Sequence, residues 1–210
     1  MAWTTLARLA KSGAAERVAH GVYRLRGTPA DDQLEVRVAW LQLAPDTTVW
    51  DRRPEQGVVS HRSAAAAYSL GHLTADLHHF TLPARRQTRR SDVRFHRSAL
   101  ADDEWINLDG LLVTRPARIA ADLLENREDP ESVAHVIADG LRAIKDYPGT
   151  VARAIAPHAV SLGLPEGDGL ALLDWLLDLV QDPQRDLWLA EARETSNRER
   201  HAANRDRAQP

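Results

Sequence analysis

The sequence predicts an α+β protein on three observations: a short helix followed by a two-stranded ribbon at the start, runs of strand-forming residues between Leu77 and Val113, and only helical periods beyond Asn126. In the opening stretch, Leu6 to Leu25, residues Leu6, Leu9 and Ala10 recur at helical spacing, while Thr5, Arg8 and Lys11 fall three apart on the opposite face. Gly13 ends that helix. Glu16 to Val18 and Val22 to Leu25 are β-branched or aromatic enough to be strands, and His20-Gly21 between them supplies the positive φ of a tight turn. A helix followed by a hairpin is how a winged helix ends, so 1–29 is expected to be a partial winged helix-turn-helix.

The charges of this stretch suit nucleic acid. Glu16 is the only acid before Asp31, and the ribbon carries Arg17, His20, Arg24 and Arg26. Outward-facing Thr5, Arg8 and Lys11 are placed to meet a groove, with the ribbon on the phosphates beside it. Spacing alone equally allows an amphipathic helix and hairpin with ordinary solvated charges.

Composition narrows the classes. A chain of 210 residues can bury a sizeable core. Its net charge of −3 and pI near 6.3 do not mark a bulk nucleic-acid binder, so any such role rests on local patches. Cysteine is absent, which rules out disulfides and thiolate metal sites. No run approaches the roughly 18 apolar residues a membrane span needs, and the start has no apolar signal core, so a cytoplasmic protein without membrane contact is expected.

Beyond the ribbon, Asp31 or Asp32 caps a helix through Leu34, Val38 and Leu41 to about Ala44, which Pro45 closes. Thr47 to Gln56 reads as a loop, with Thr48-Val49-Trp50 as an alternative short strand. Ser60 is an N-cap for a helix from His61 to Leu70 with a small, close-packing Ala64 to Ala67 face, and Gly71 stops it. A nucleophile reading of Ser60 with His61 lacks a G-x-S-x-G setting. Leu77 to Leu82 and Val93 to Phe95 are expected as two strands of a hairpin with a long loop. Arg85, Arg86, Arg89, Arg90, Arg94 and Arg97 stand here against one acid, Asp92, the strongest local positive charge in the chain. Either a phosphate or acidic-partner grip or a solvated loop fits it. His78, His79 and His96 lie on these strands, but no carboxylate or cysteine shares a ligand spacing with them, so no metal and no cofactor is expected.

Trp105 to Leu108 and Leu111 to Val113 flank Asp109-Gly110, a strong hairpin signal. Arg115-Pro116 opens a helix with Ile119, Leu123 and Leu124 on its apolar side and Arg118 and Asp122 on the other. Helices are expected over Pro130 to Ile144, Pro148 to Val160 and Gly169 to Val180, the last with an apolar stripe of Leu170, Leu173, Leu176, Leu177 and Val180 and with Trp175 on its border. From Asp122 to Asp182, twelve acids face four bases, which segregates an acidic half from the basic start and either orients the protein or only keeps it soluble. Beyond Glu194 the charged end predicts fraying. The expected divisions are 1–29, a mixed domain of helices and antiparallel strands ending in an acidic helical part over 30–182, and a tail over 183–210.

Several stretches resemble one family in order: Lys11-Ser12-Gly13, then R-V-x-x-G-V-Y-R-L from Arg17 to Leu25, VVSHRSAAAAYSLGHL from Val58 to Leu73, FTLPARR from Phe80 to Arg86, and DGLLVTRPARIAADLL from Asp109 to Leu124. They resemble the AbiEi-type antitoxins, transcriptional regulators of type IV toxin-antitoxin operons. The resemblance implies an autorepressor that binds operator DNA upstream of its own operon and counteracts a nucleotidyltransferase-like toxin, with self-association left open. Family members begin with two further helices, whereas this chain opens at Met1-Ala2-Trp3-Thr4, which implies an upstream start or a shortened DNA-binding domain. The implied DNA contacts are Thr5, Arg8, Lys11, Arg17, His20 and Arg24, with Arg85, Arg86, Arg89 and Arg90 as a second electrostatic contact. The alternative is an antitoxin that neutralises its toxin by direct protein contact. An enzyme is the weakest class: no Walker loop, dinucleotide fingerprint or H-E-x-x-H appears, and no strand-borne D…E-x-K cluster follows Leu141.

Overall fold

The computed structural model describes residues 2–29 and 31–207. Met1, Ala30 and 208–210, which the expected divisions include, lie outside the described residues. The architecture is α+β. In chain order it comprises α1 (Ala2–Lys11), β1 (Ala15–Ala19), β2 (Val22–Leu25), α2 (Leu34–Leu43), β3 (Val58–Val59), α3 (His61–Tyr68), β4 (His78–Leu82), β5 (Val93–Arg97), β6 (Trp105–Leu108) and β7 (Leu111–Thr114). Five helices follow: α4 (Pro116–Glu125), α5 (Pro130–Arg142), α6 (Pro148–Ile155), α7 (Gly169–Leu179) and α8 (Arg185–Arg207). The chain forms two compact units, one from 1–59, 77–100 and 107–112, the other from the remainder.

In the first unit, β1 and β2 form an antiparallel ribbon with a register shift between Arg17 and Ala19. Gly21 takes φ 76° at its turn, the left-handed conformation that a side chain disfavours. The larger sheet is ordered β5-β4-β3-β7-β6. Asp109 and Gly110 adopt φ 51° and 84°, as the turn between β6 and β7 requires. Val36, Ala39, Trp40 and Leu43 of α2 are buried, as are Val58, Val59, Phe80, Leu82 and Val93 of the sheet. The segment expected as a loop between Thr47 and Gln56 contains two short 3-10 turns, Val49–Asp51 and Pro54–Gln56, and the alternative strand does not form.

The expected hairpin between β4 and β5 is a correction. These strands pair in parallel, His78 opposite Val93 and Leu82 opposite Arg97. The antiparallel neighbour of β4 is instead β3, Val58 opposite Thr81 and Val59 opposite Phe80. The reason lies in 83–92, which contains no glycine and no positive-φ residue to make a tight turn, yet is long enough to return along a five-residue strand of about 17 Å.

In the second unit, α4 packs on α3, α5 and α6, and α7 on α5, α6 and α8. Proline opens α4, α5 and α6, and Asp129 and Asp168 cap α5 and α7 by accepting from Ser132 N at 3.0 Å and Ala171 N at 2.9 Å. Leu172, Leu173, Leu176 and Leu177 are fully buried, while Leu170, Trp175 and Val180 are partly exposed. Where α6 and α7 meet, a Cβ on Gly169 would lie 1.8 Å from the Ala152 carbonyl, so only glycine permits the contact. Asp146, 4% exposed, accepts from Ala117 N and Tyr147 N, each at 3.0 Å, and thereby satisfies a free amide at the start of α4. Through the charged end, α8 spans Arg185 to Arg207.

Asp122, expected on the solvent side of α4, is 2% exposed. Arg118 carries it inward, donating to Asp122 Oδ1 at 2.7 Å and to Glu104 Oε1 at 2.9 Å. Burial pushes the Asp122 carboxyl up to about 6 despite that guanidinium. Ser60 occupies the N-cap position of α3 without a side-chain capping bond; its Oγ lies 2.9 Å from His61 Nδ1 instead. His61 adopts φ 54° and sits 3.7 Å from Asp122 Oδ2 through the same Nδ1. Both contacts fall on the same ring nitrogen, whereas a Ser-His-Asp relay uses opposite ones.

Candidate nucleic-acid interface

The ten implied contact residues all fall in the first unit, and their surroundings divide them. Thr5, Arg8 and Lys11 are exposed on α1. Ser12 N donates to Arg8 O at 2.9 Å and Gly13 N to Ala10 O at 3.1 Å, so the helix ends where Gly13, φ 77°, turns the chain into β1. The side chains of Arg8 and Lys11 form no ion pair with the described residues.

On the ribbon, Arg17 and His20 are both exposed. Arg17 Nη2 contacts His20 Nδ1 at 2.9 Å and its Nε donates to Ala19 O at 3.3 Å, which orders the tip while leaving both groups outward. Arg24 differs. It lies directly opposite Glu16 in the ribbon register, and its guanidinium meets that carboxylate at 2.5 Å. The one acid of the opening stretch therefore neutralises one of its expected phosphate contacts.

The crossover between β4 and β5 divides likewise. Arg85 and Arg89 are exposed, with no hydrogen bond or ion pair to the described residues. Arg86 donates to Leu43 O at 2.7 Å and stacks 5.7 Å above the Phe95 ring, pinning the crossover to the end of α2. Arg90 pairs with Asp92 at 2.5 Å and also donates to Gln42 Oε1. That contact holds the Asp92 carboxyl below, and the Arg90 guanidinium above, its ordinary value. Arg94 and Arg97, outside the implied set, are also exposed on β5 and form no ion pair with the described residues. Strand alternation does not single them out, because they lie on opposite faces of an edge strand.

The ribbon and the crossover share a groove of about 580 Å³, lined by Arg17, Arg24 and Arg90 but also by Glu16, Glu35 and Asp92. Three acids against three arginines leave no net positive charge there, and the cations outside that balance are Arg8, Lys11, Arg85 and Arg89, which form no ion pair with the described residues.

Of the three histidines on β4 and β5, His79 and His96 meet and His78 lies on the other sheet face. Burial lowers the His78 imidazole, partly offset by Asp92.

Sequence reasoning missed Arg52. This residue is 3% exposed and has no carboxylate partner among the described residues; it donates instead to Trp40 O, Leu41 O and Ala44 O at 2.5–2.7 Å and to Thr47 O at 3.4 Å. Its guanidinium also stacks 4.3 Å from the Trp40 ring. A buried cation at a helix C-terminus answers the unsatisfied carbonyls and the negative end of the dipole. Burial lowers its pKa from the ordinary value.

Among the described residues, no helix is long and apolar enough to cross a membrane. No protein-family model matches the chain, and no curated protein matches it. Among solved structures the chain is similar to the RV2827C protein from Mycobacterium tuberculosis, with 16% identity, 90% of this chain and 69% of that chain covered, and a TM-score of 0.48.

Proposed function

We propose that the chain is a DNA-binding autorepressor of the AbiEi antitoxin type, acting in the cytoplasm on its own operator and opposing a nucleotidyltransferase-like toxin. The observation that supports this most is the exposed face of α1, where Arg8 and Lys11 form no ion pair with the described residues, together with the exposed Arg17 and His20 at the ribbon turn of the same unit. The ordered family-like stretches support it independently. On this reading Thr5, Arg8 and Lys11 enter the groove, Arg17 and His20 contact the backbone, and Arg85 and Arg89 add a second phosphate contact. Arg24, Arg86 and Arg90 hold the unit together instead.

The test is binding to the DNA upstream of its own gene across a salt series. A double Arg85→Ala, Arg89→Ala variant is expected to lower the slope of log affinity against log salt by about 2, since each phosphate contact contributes about 0.9, and a double Arg8→Ala, Lys11→Ala variant to weaken binding to this DNA more than to unrelated DNA. A double Glu16→Gln, Arg24→Gln variant, which removes both members of the internal pair and leaves the net charge unchanged, is expected to leave that slope unchanged. Absence of binding at low salt sinks the proposal.

A second reading, an antitoxin acting by direct contact with its toxin, draws on the pairing of Arg24, Arg86 and Arg90, which leaves fewer cations for DNA than the sequence count suggests. It predicts a salt-stable complex on co-purification, and independent migration on gel filtration counts against it.

A further inference from the structure

In the first unit, α1, the ribbon turn and the end of α2 enclose a cavity of about 500 Å³. Its apolar walls are Leu6, Val22, Tyr23, Leu41 and Pro45. None of them is fully buried, so water reaches these walls and an apolar guest that displaces it gains the free energy of burial. The volume lies within the roughly 300–1,000 Å³ range of small-molecule sites.

The polar groups at the cavity select the guest. Gln42 Nε2 already donates to His20 O at 2.9 Å, and its Oε1 accepts from Arg90. Arg52 also lines the cavity, but four donations to main-chain carbonyls occupy most of its N–H groups and the end of α2 balances its charge. The Asp46 carboxylate is different: it lines the same cavity, is exposed, and forms no hydrogen bond or ion pair with the described residues. Thr47 and His20 complete the polar lining, His20 with its Nδ1 2.9 Å from Arg17 Nη2, so an incoming carboxylate would find donors there but also the repulsion of Asp46. An incoming ammonium would meet it as a charge-assisted hydrogen-bond partner.

We propose that this cavity is a binding site for a small amphipathic cation, an apolar or aromatic body carrying a protonated amine, with the body against Leu6, Val22, Tyr23 and Leu41 and the amine on Asp46. The assignment does not depend on DNA binding.

The test is titration of the full chain with phenethylamine, and separately with 3-phenylpropanoate, followed by backbone amide NMR. Phenethylamine is expected to bind saturably, with a dissociation constant of about 1 mM or below. Its shifts should be confined to Val22, Tyr23, Leu41 and the residues around Asp46, and 3-phenylpropanoate should bind at least about tenfold more weakly because Asp46 repels it. Asp46→Asn should weaken the amine about tenfold and abolish the preference; the side chain is exposed, so the fold survives the change. Leu41→Trp should fill the cavity and remove binding of both probes; if that variant does not fold, Asp46→Asn decides alone. No saturable binding, equal binding of the two probes, or an amine affinity unchanged by Asp46→Asn overturns the proposal.

Discussion

The imidazoles of His79 and His96 lie 5.1 Å apart and 15° from parallel, with Nδ1 of the first 2.9 Å from Nε2 of the second. Two rings this close cannot both carry a full charge without repulsion. Burial pushes the His96 imidazole down to about 4, and His79 and Arg94 add to the effect.

His96 therefore makes the chain less stable in acid. The unfolded chain takes up a proton near the ordinary value of 6.5, before the folded one does, so stability is fully present above about 6.5 and is lost as the pH falls toward about 4. The whole shift corresponds to about 3 kcal/mol, and partial exposure of the ring reduces it to about 1–2 kcal/mol. Urea denaturation at pH 7.5, 6, 5 and 4 should show that loss, and His96→Gln should flatten it. An unchanged profile in the variant refutes the assignment.

Asp122 works in the opposite sense. Its carboxyl titrates near 6 in the folded chain against 3.8 in the unfolded chain, so between those values the folded state holds the extra proton. Its contribution is present below about 3.8 and is lost as the pH rises through about 6, by up to about 3 kcal/mol. Asp122→Asn should remove this slope, so that the variant loses more stability than the parent between pH 6 and 4. Parallel profiles would show that the burial of Asp122 carries no such linkage.

Arg52 is expected to matter more for the first unit than any other arginine. Arg52→Ala leaves the carbonyls of Trp40, Leu41 and Ala44 without their donor and removes the contact over Trp40, a cost of about 3 kcal/mol. Arg52→Lys should recover less than half, because a single ammonium cannot match the fork of a guanidinium. Equilibrium denaturation measures both, and full recovery by lysine would show that charge alone suffices.

Two glycines of the second unit should separate contact from conformation. Gly169→Ala drives a methyl group to 1.8 Å from the Ala152 carbonyl and should cost about 3 kcal/mol or more, or prevent folding. Gly163→Ala meets open space at φ 80° and should cost only about 1 kcal/mol. Thermal melts rank the pair, and equal effects would contradict the close approach of α6 and α7.

The elements legible in the sequence were those with a local cause. Asp109-Gly110 marks a turn because those two residues tolerate positive φ, and Pro116, Pro130 and Pro148 mark helix starts because proline has no N–H to lose there. The candidate interface was legible only in part. The outward spacing of Arg8 and Lys11 follows from helical geometry, but the pairing of Arg24 with Glu16, of Arg86 with Leu43 O and of Arg90 with Gln42 joins residues 8, 43 and 48 positions apart. No periodicity records such partners.

By itself, then, the sequence determined the types of the longer elements and the basic character of the opening stretch, because backbone preference and apolar period act over a few neighbouring residues, while the two-residue β3 is too short to show a period. Tertiary structure alone decided that β4 and β5 run parallel, that Asp122 is buried, that Arg52 closes the end of α2, and which cations remain outward. Each of these depends on what a distant segment places opposite a side chain, and burial and charge pairing are set by that neighbour rather than by the residue itself.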